Sequence, residues 1–155
     1  MNINSRRLFL KTTALGLGAA AVGLPSLVAL AEGESDSPFQ FVKDPENPTE
    51  LELEHMVEIR LPVIAEDGSN VPIVVTMHNH PMEEDHYIKN IRIYGFNDPI
   101  VSKGLFQLSP ANGLALISTQ ARMDGGDSNL FAVCECNKHG LWAAHATLKV
   151  SLGGC

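Results

Sequence analysis

The sequence predicts an all-β fold, an immunoglobulin-like β-sandwich of about seven strands. Two observations lead to this prediction. Short stretches of alternating or β-branched apolar residues follow one another along the chain, and turn-forming residues separate them roughly every eight to twelve positions. In addition, no stretch shows the 3.6-residue apolar period of a long amphipathic helix.

The strands are predicted from two local patterns. Apolar and polar residues alternate over 57–61 and again over 87–94, whereas 71–77 is rich in β-branched residues. Turn signals lie at 66–70, 110–113 and 124–127. In chain order, the seven predicted strands are Val57–Leu61, Val71–Met77, Tyr87–Tyr94, Gly104–Leu108, Ala115–Arg122, Asn129–Cys136 and Ala144–Leu152.

The first residues predict an export signal rather than part of the core. Arg6 and Arg7 form a twin-arginine pattern, which a weakly apolar stretch follows over 12–30, and we expect cleavage after Ala31. An uncleaved membrane anchor is the alternative, although the glycines and the proline of this stretch make a poor span. The sequence thus predicts a signal at 1–31, a linker or surface arm at 32–49, and one domain at 50–155.

Charge and location restrict the possible partners. The chain has a formal net charge of −7, and removal of the signal takes away three further positive charges. Such an acidic domain, with no basic cluster beyond its first residues, is not expected to bind nucleic acid or an anionic membrane. Twin-arginine export carries folded proteins, often with a metal already bound, so we expect a periplasmic metalloprotein.

Histidines and a cysteine lie at spacings typical of a metal site. Cys136 and His139 form a Cys-x-x-His turn after a predicted strand, and His80 begins a His-Pro turn that returns to His86. His55 stands apart from both groups. One thiolate with several imidazoles suits iron, copper or zinc, so the spacing alone does not identify the metal.

The strings HPMEEDHYI and CNKHGLW resemble the paired signature of the superoxide reductase family, which includes desulfoferrodoxin and neelaredoxin. The segment 44–55 also resembles the lead-in to the first ligand in exported members. The resemblance implies one iron ion that cycles between Fe(II) and Fe(III). It reduces superoxide to hydrogen peroxide, and an external one-electron donor then reduces it to Fe(II) again. Carried over, its axial ligand is Cys136 and its equatorial ligands are His55, His80, His86 and His139.

Several neighbouring residues bear on this interpretation. Glu54 stands where many members of the family have a lysine that attracts superoxide. Lys138, inside the Cys136–His139 turn, is the candidate to supply a local positive charge in its place. The resemblance makes Glu83 and Glu84 candidates for a sixth ligand. His78 could replace His55 as a ligand, because it precedes His80 by two residues and would project to the same side of a strand.

The chain also resembles a second family of sandwich proteins, SoxY, the sulfur carrier of periplasmic thiosulfate oxidation. The resemblance lies in 61–68, 71–73, the Asn-Asp-Pro turn at 97–99 and the terminal Lys-Val-Ser-Leu-Gly-Gly-Cys. It implies that Cys155 binds sulfur from thiosulfate covalently and that a SoxZ-like partner forms an oligomer with the chain. An oligomer of identical chains is the alternative, as is a bystander role for Cys155.

The remaining aromatic and sulfur side chains are expected to be structural. Trp142 and Tyr87 lie close in sequence to proposed ligands, so they are expected to form an apolar rim around the metal. His145 is expected to be structural. Cys134 is two residues from Cys136 on one strand, where a disulfide between them is geometrically poor, and it is therefore expected to be a buried apolar residue.

Overall fold

The computed structural model describes residues 37–96 and 98–151. The predicted export signal, Cys155 and Asn97 of the predicted turn lie outside these residues. The helix α1 covers Glu50–Glu54. The strands are β1 Phe39–Gln40, β2 Glu58–Arg60, β3 Ile64–Ala65, β4 Val71–Met77, β5 Ile88–Gly95, β6 Ser102–Gln107, β7 Ala115–Ala121, β8 Gly126–Cys136 and β9 Gly140–Val150.

The strands form two sheets, and the predicted all-β sandwich is confirmed. The larger sheet has the order β1-β9-β8-β5-β6, with β3 also paired to β9, and the smaller sheet has the order β2-β4-β7. Each of the seven predicted strands has a counterpart. The two further strands, β1 and β3, are two residues long and pair in parallel with β9.

Alternation along the strands fills the space between the sheets. On β4, Ile73 and Val75 are fully buried, while Pro72 between β-branched neighbours faces solvent. On β5, Ile91 and Ile93 are fully buried and again lie two positions apart, and Ile88 at the start of the strand is fully buried as well. Because side chains of a strand point alternately to opposite faces, these residues meet in one core shared by both sheets.

One end of the sandwich gathers the connections that matter for function. β8 ends at Cys136 and β9 begins at Gly140, and these two residues pair with each other. Ile88, which opens β5, pairs with Cys136 as well. The β4–β5 connection and the β8–β9 turn therefore lie side by side. In the described part of the chain, no helix is long and apolar enough to cross a membrane.

Candidate metal centre

Four of the sequence-predicted residues converge at this end of the sandwich. One ligand atom from each lies within 4.8 Å of the others, and the residues are His55, His80, His86 and Cys136. His139 joins them, because its Nδ1 lies 3.1 Å from Nε2 of His55 and 3.8 Å from Sγ of Cys136. The structure thus brings together the five side chains of the two spaced motifs and the isolated His55.

The helix α1 delivers His55 to this cluster. Thr49 caps the helix, since its side chain accepts the backbone N–H of Glu52 while the Glu52 carboxylate accepts the N–H of Thr49. His55 is the C-cap of this helix, and its backbone N–H donates to the carbonyl of Leu51. His55 is fully buried, and its ring stacks on Trp142 with centroids 4.8 Å apart. His78, the alternative ligand, is exposed.

Backbone carbonyls hold two of the imidazoles in a single orientation. Nδ1 of His55 donates to the carbonyl oxygen of Leu51 at 2.8 Å, and Nδ1 of His80 donates to that of Pro81. A carbonyl only accepts, so the proton of each neutral ring resides on Nδ1 and the lone pair resides on Nε2. This is how metal-binding histidines are commonly oriented in proteins.

His86 has a carboxylate beside its Nδ1 instead. Its Nδ1 lies 3.3 Å from Oε1 of Glu54, whose second oxygen lies 3.9 Å from Nδ1 of His55. The Nε2 atoms of His80 and His86 are buried and have no hydrogen-bond partner. A buried polar atom without a partner is costly, and a metal ion would satisfy both nitrogens at once. The donor set therefore fits a metal.

Burial keeps the two innermost rings neutral. Desolvation is the main cause that lowers the pKa of His80 to about 4, and it outweighs the opposing hydrogen bond to Pro81. Desolvation also lowers the pKa of His55. Both rings are therefore uncharged near neutral pH, which leaves their lone pairs available to a metal.

The sulfur atom lies at the buried side of the cluster. Cys136 is 2% exposed, and its Sγ accepts the backbone N–H of Lys138 at 3.4 Å. Cys134, two residues earlier, is a fully buried free thiol of the core, and desolvation raises its pKa to about 12. A thiol with so high a pKa is inert as a nucleophile or ligand, so Cys134 belongs to the apolar core.

Asn137 joins the two loops that carry the ligands. Its side-chain oxygen accepts the backbone N–H of Tyr87 at 3.0 Å, and its side-chain nitrogen donates to the carbonyl of Asp85 at 2.9 Å. Its own N–H donates to the carbonyl of Tyr87. The Lys138 ammonium adds an ion pair to Asp85 at 2.9 Å. These contacts fix His86 relative to Cys136.

The other predicted site residues lie at the rim or outside the cluster. Glu83 and Glu84 are exposed, and the Glu83 backbone exchanges hydrogen bonds with that of His86. Lys138 is exposed and engaged with Asp85. His145 is exposed on β9 and stacks on Phe131, 5.5 Å between ring centroids, apart from the metal cluster.

Two contributors to the site were not predicted from the sequence. Neither the hydrogen bonds of Asn137 nor the contact between Glu54 and His86 follows from spacing alone. The position of Asn137 inside the Cys-x-x-His turn was the available signal, because asparagine side chains often bind the backbone of turns. The acceptors on Leu51 and Pro81 are main-chain carbonyl groups, which every residue has, so the sequence could not identify them.

Comparison with known proteins shows which family this is. Residues 45–155 match the family model described as sulfur oxidation protein SoxY. The chain belongs to the SoxY family. A solved member, the sulfur carrier protein SoxY from Chlorobium limicola, is 26% identical and superimposes with a TM-score of 0.50 over 62% of this chain and 79% of that one.

This SoxY-family chain is also similar to superoxide reductases, so both resemblances in the sequence are confirmed. A desulfoferrodoxin homolog from Archaeoglobus fulgidus is 34% identical over 85 residues, which are 55% of this chain and 61% of that protein. The match thus spans about three-fifths of that relative. The superoxide reductase (neelaredoxin) from Ignicoccus hospitalis is 24% identical, with a TM-score of 0.64 over 74% of this chain and 96% of that one, which shows the shared fold.

Proposed function

We propose that this chain binds one iron ion through His55, His80, His86, His139 and Cys136 and reduces superoxide to hydrogen peroxide. The observation that carries the proposal is the convergence of four imidazoles and one buried thiol, with the Nε2 atoms of His80 and His86 unpartnered. The similarity to a desulfoferrodoxin homolog and to superoxide reductases supports iron over zinc or copper.

The protein provides a neutral, preorganised ligand set. Bound ferrous iron would supply the single electron which, with two protons from solvent, converts superoxide to hydrogen peroxide, and an external one-electron donor would restore it. The hydrogen bond from the Lys138 N–H to Sγ of Cys136 would raise the reduction potential of a bound iron, because hydrogen bonds to a thiolate ligand reduce its electron donation.

Substrate access is expected on the side of His86. The side chain of His86 is 12% exposed and His139 is partly exposed, whereas His55 and Cys136 are buried. The charges on this side do not attract an anion strongly. Lys138 is paired with Asp85, and Glu54 adds a negative charge beside the ligands. Superoxide therefore reaches the site by diffusion without strong electrostatic steering.

The test is the metal content and visible spectrum of protein purified without oxygen and then oxidised. We expect one iron per chain and a thiolate-to-ferric absorption band, together with consumption of superoxide in stopped flow. His86→Ala should lose iron and turnover. His145→Ala is the matched control, because His145 is a histidine of the same domain outside the cluster. Iron-free protein, or turnover unaffected by His86→Ala, would refute the proposal.

A second function is favoured by the SoxY match, which extends to residue 155 and so includes the terminal Gly-Gly-Cys. We propose that Cys155 also carries sulfur. Its thiolate would form a new S–S bond to the outer sulfur of thiosulfate, and an external acceptor would take the two electrons released. A SoxZ-like partner chain would present Cys155 to successive enzymes.

Mass spectrometry tests this second proposal. After exposure to thiosulfate and a mild two-electron oxidant, the wild-type chain should gain the mass of the thiosulfate adduct on the peptide that contains Cys155. The Cys155→Ser variant should gain none, while buried Cys134 serves as an internal control that stays unmodified. Labelling that is equal in the variant and the wild type would contradict a carrier role.

Periplasmic location is proposed from the twin-arginine pattern alone. If it is correct, Arg6→Lys together with Arg7→Lys should retain the precursor inside the cell. The amino-terminal sequence of the exported protein should then begin at Glu32. An exported chain that keeps its first residues would instead indicate an uncleaved anchor.

A further inference from the structure

We propose that Glu54 is the positioning residue that selects Nε2 of His86 as a metal ligand and places a fixed negative charge beside the centre. The inference rests on the proposed metal site. Oε1 of Glu54 lies 3.3 Å from Nδ1 of His86, and its Oε2 lies 3.9 Å from Nδ1 of His55. The Glu54 side chain is 30% exposed, so it sits at the boundary between the cluster and solvent.

The comparison of the three rings shows why His86 depends on Glu54. His55 and His80 donate their Nδ1–H to carbonyls of the neighbouring backbone, which the fold supplies without any particular side chain. For His86, the group beside Nδ1 is the carboxylate of Glu54, at 3.3 Å. Its Nε2 is buried without a partner. Without Glu54, either ring nitrogen could hold the proton, and only one of those tautomers presents a lone pair to the metal.

The position of Glu54 in α1 is locally unfavourable, which points to a role outside the helix. It is the last residue of α1, and no basic residue occupies that turn. A carboxylate at a helix C-terminus opposes the partial negative charge of the free carbonyls there. Departures from local preference of this kind are expected at functional sites. The contact with His86 is the compensating interaction in this structure.

A carboxylate beside a histidine ligand has a larger effect on a bound metal than a backbone carbonyl does. An ionised carboxylate beside Nδ1 favours the proton on that nitrogen and makes the ring a stronger donor to a metal through Nε2. Its negative charge also favours the more positive oxidation state of a bound metal. Glu54 should therefore both tighten metal binding and lower the reduction potential, and these two effects can be separated by substitution.

Cobalt(II) titration of the metal-free protein, followed by absorbance, tests the role independently of superoxide chemistry. Glu54→Ala removes both the acceptor and the charge and should weaken Co²⁺ binding by about 10- to 100-fold. Glu54→Gln keeps an acceptor oxygen and should stay within a few fold of wild type. Glu50→Ala is the matched control, since it removes an exposed carboxylate from the same helix, and should bind Co²⁺ as wild type does.

The reduction potential of the iron-loaded protein provides the second measurement. Both Glu54→Gln and Glu54→Ala should raise it, because both remove the charge, whereas Glu50→Ala should not. If the alanine variant is unfolded by circular dichroism, Glu54→Met provides the same comparison at similar side-chain length. Co²⁺ binding within twofold of wild type in the variants without an acceptor would overturn the role of Glu54. Failure of wild type itself to bind Co²⁺ would instead remove the proposed metal site.

Discussion

Replacement of Asn137 by alanine should weaken the attachment of the β8–β9 turn to the β4–β5 connection, the two loops beside which the metal ligands lie. The side chain makes two hydrogen bonds to backbone groups of the β4–β5 connection, one with Tyr87 and one with Asp85. Each such bond contributes about 0.5–1.5 kcal/mol, so their loss should lower the free energy of unfolding by about 1–3 kcal/mol. That is a substantial part of the roughly 5–15 kcal/mol typical of a domain.

Urea denaturation of the metal-free Asn137→Ala protein, monitored by Trp142 fluorescence, measures this loss. The urea concentration at the unfolding midpoint should fall. The slope of the free energy of unfolding against urea concentration should stay constant, because the surface exposed on unfolding hardly changes. Asn129→Ala is the control, since Asn129 is an exposed asparagine on β8, and its effect should stay within about 0.5 kcal/mol.

The same variant should bind metal more weakly, because Asn137 holds His86 at a fixed place relative to Cys136. The reasoning would be refuted if Asn137→Ala and Asn129→Ala had equal stability and equal Co²⁺ affinity. It would also be refuted if stability fell while the affinity remained that of wild type, since the two loops would then be positioned by other contacts.

Three further predictions follow from the site. Cys136→Ser should abolish the thiolate absorption band of the metal-loaded protein, whereas Cys134→Ser should keep it, because Cys134 is a core thiol. The pKa of His80 is lowered to about 4 by folding, so the unfolded chain binds protons more tightly. The free energy of unfolding of the metal-free protein should therefore lose nothing to protonation of His80 above pH 6.5 and should decrease as the pH falls from 6.5 toward 4. His80→Gln should make the free energy of unfolding from urea denaturation less dependent on pH in this range. The rate constant for the reaction with superoxide, measured by stopped flow, should rise with added salt, because salt screens the acidic surface that repels the anion. A steep fall of this rate constant with salt would show attractive steering instead.

Much of the sandwich could be predicted because local patterns determine it. The bounds of β4 agree with the prediction and those of β7 differ by one residue, since β4 is rich in β-branched residues and a turn signal directly precedes β7. β9 begins four residues before its predicted start, because Leu141 to Ala143 pair with β8 across a tight turn that no pattern of their own reveals. The two-residue strands β1 and β3 depend wholly on the edge of β9 and leave no periodic signal.

The candidate site could likewise be predicted only where its residues are close in sequence. The Cys-x-x-His turn and the His80-to-His86 connection are local in sequence, so their spacing predicts that each pair shares one end of a strand. His55 joins them only through tertiary packing of α1. The capping pattern from Thr49 to Glu52 is typical of a helix start, yet five residues are too few to show apolar periodicity. The Nδ1 acceptors of His55 and His80 are main-chain atoms, which a sequence does not distinguish.

The length of β9 bears on the two functions proposed for this chain. β9 begins opposite Cys136 at the metal centre and runs eleven residues to Val150, a span of about 33 Å. Val150 thus lies far along the sandwich from the candidate metal centre, and the two functions proposed for this chain would use different ends of one strand.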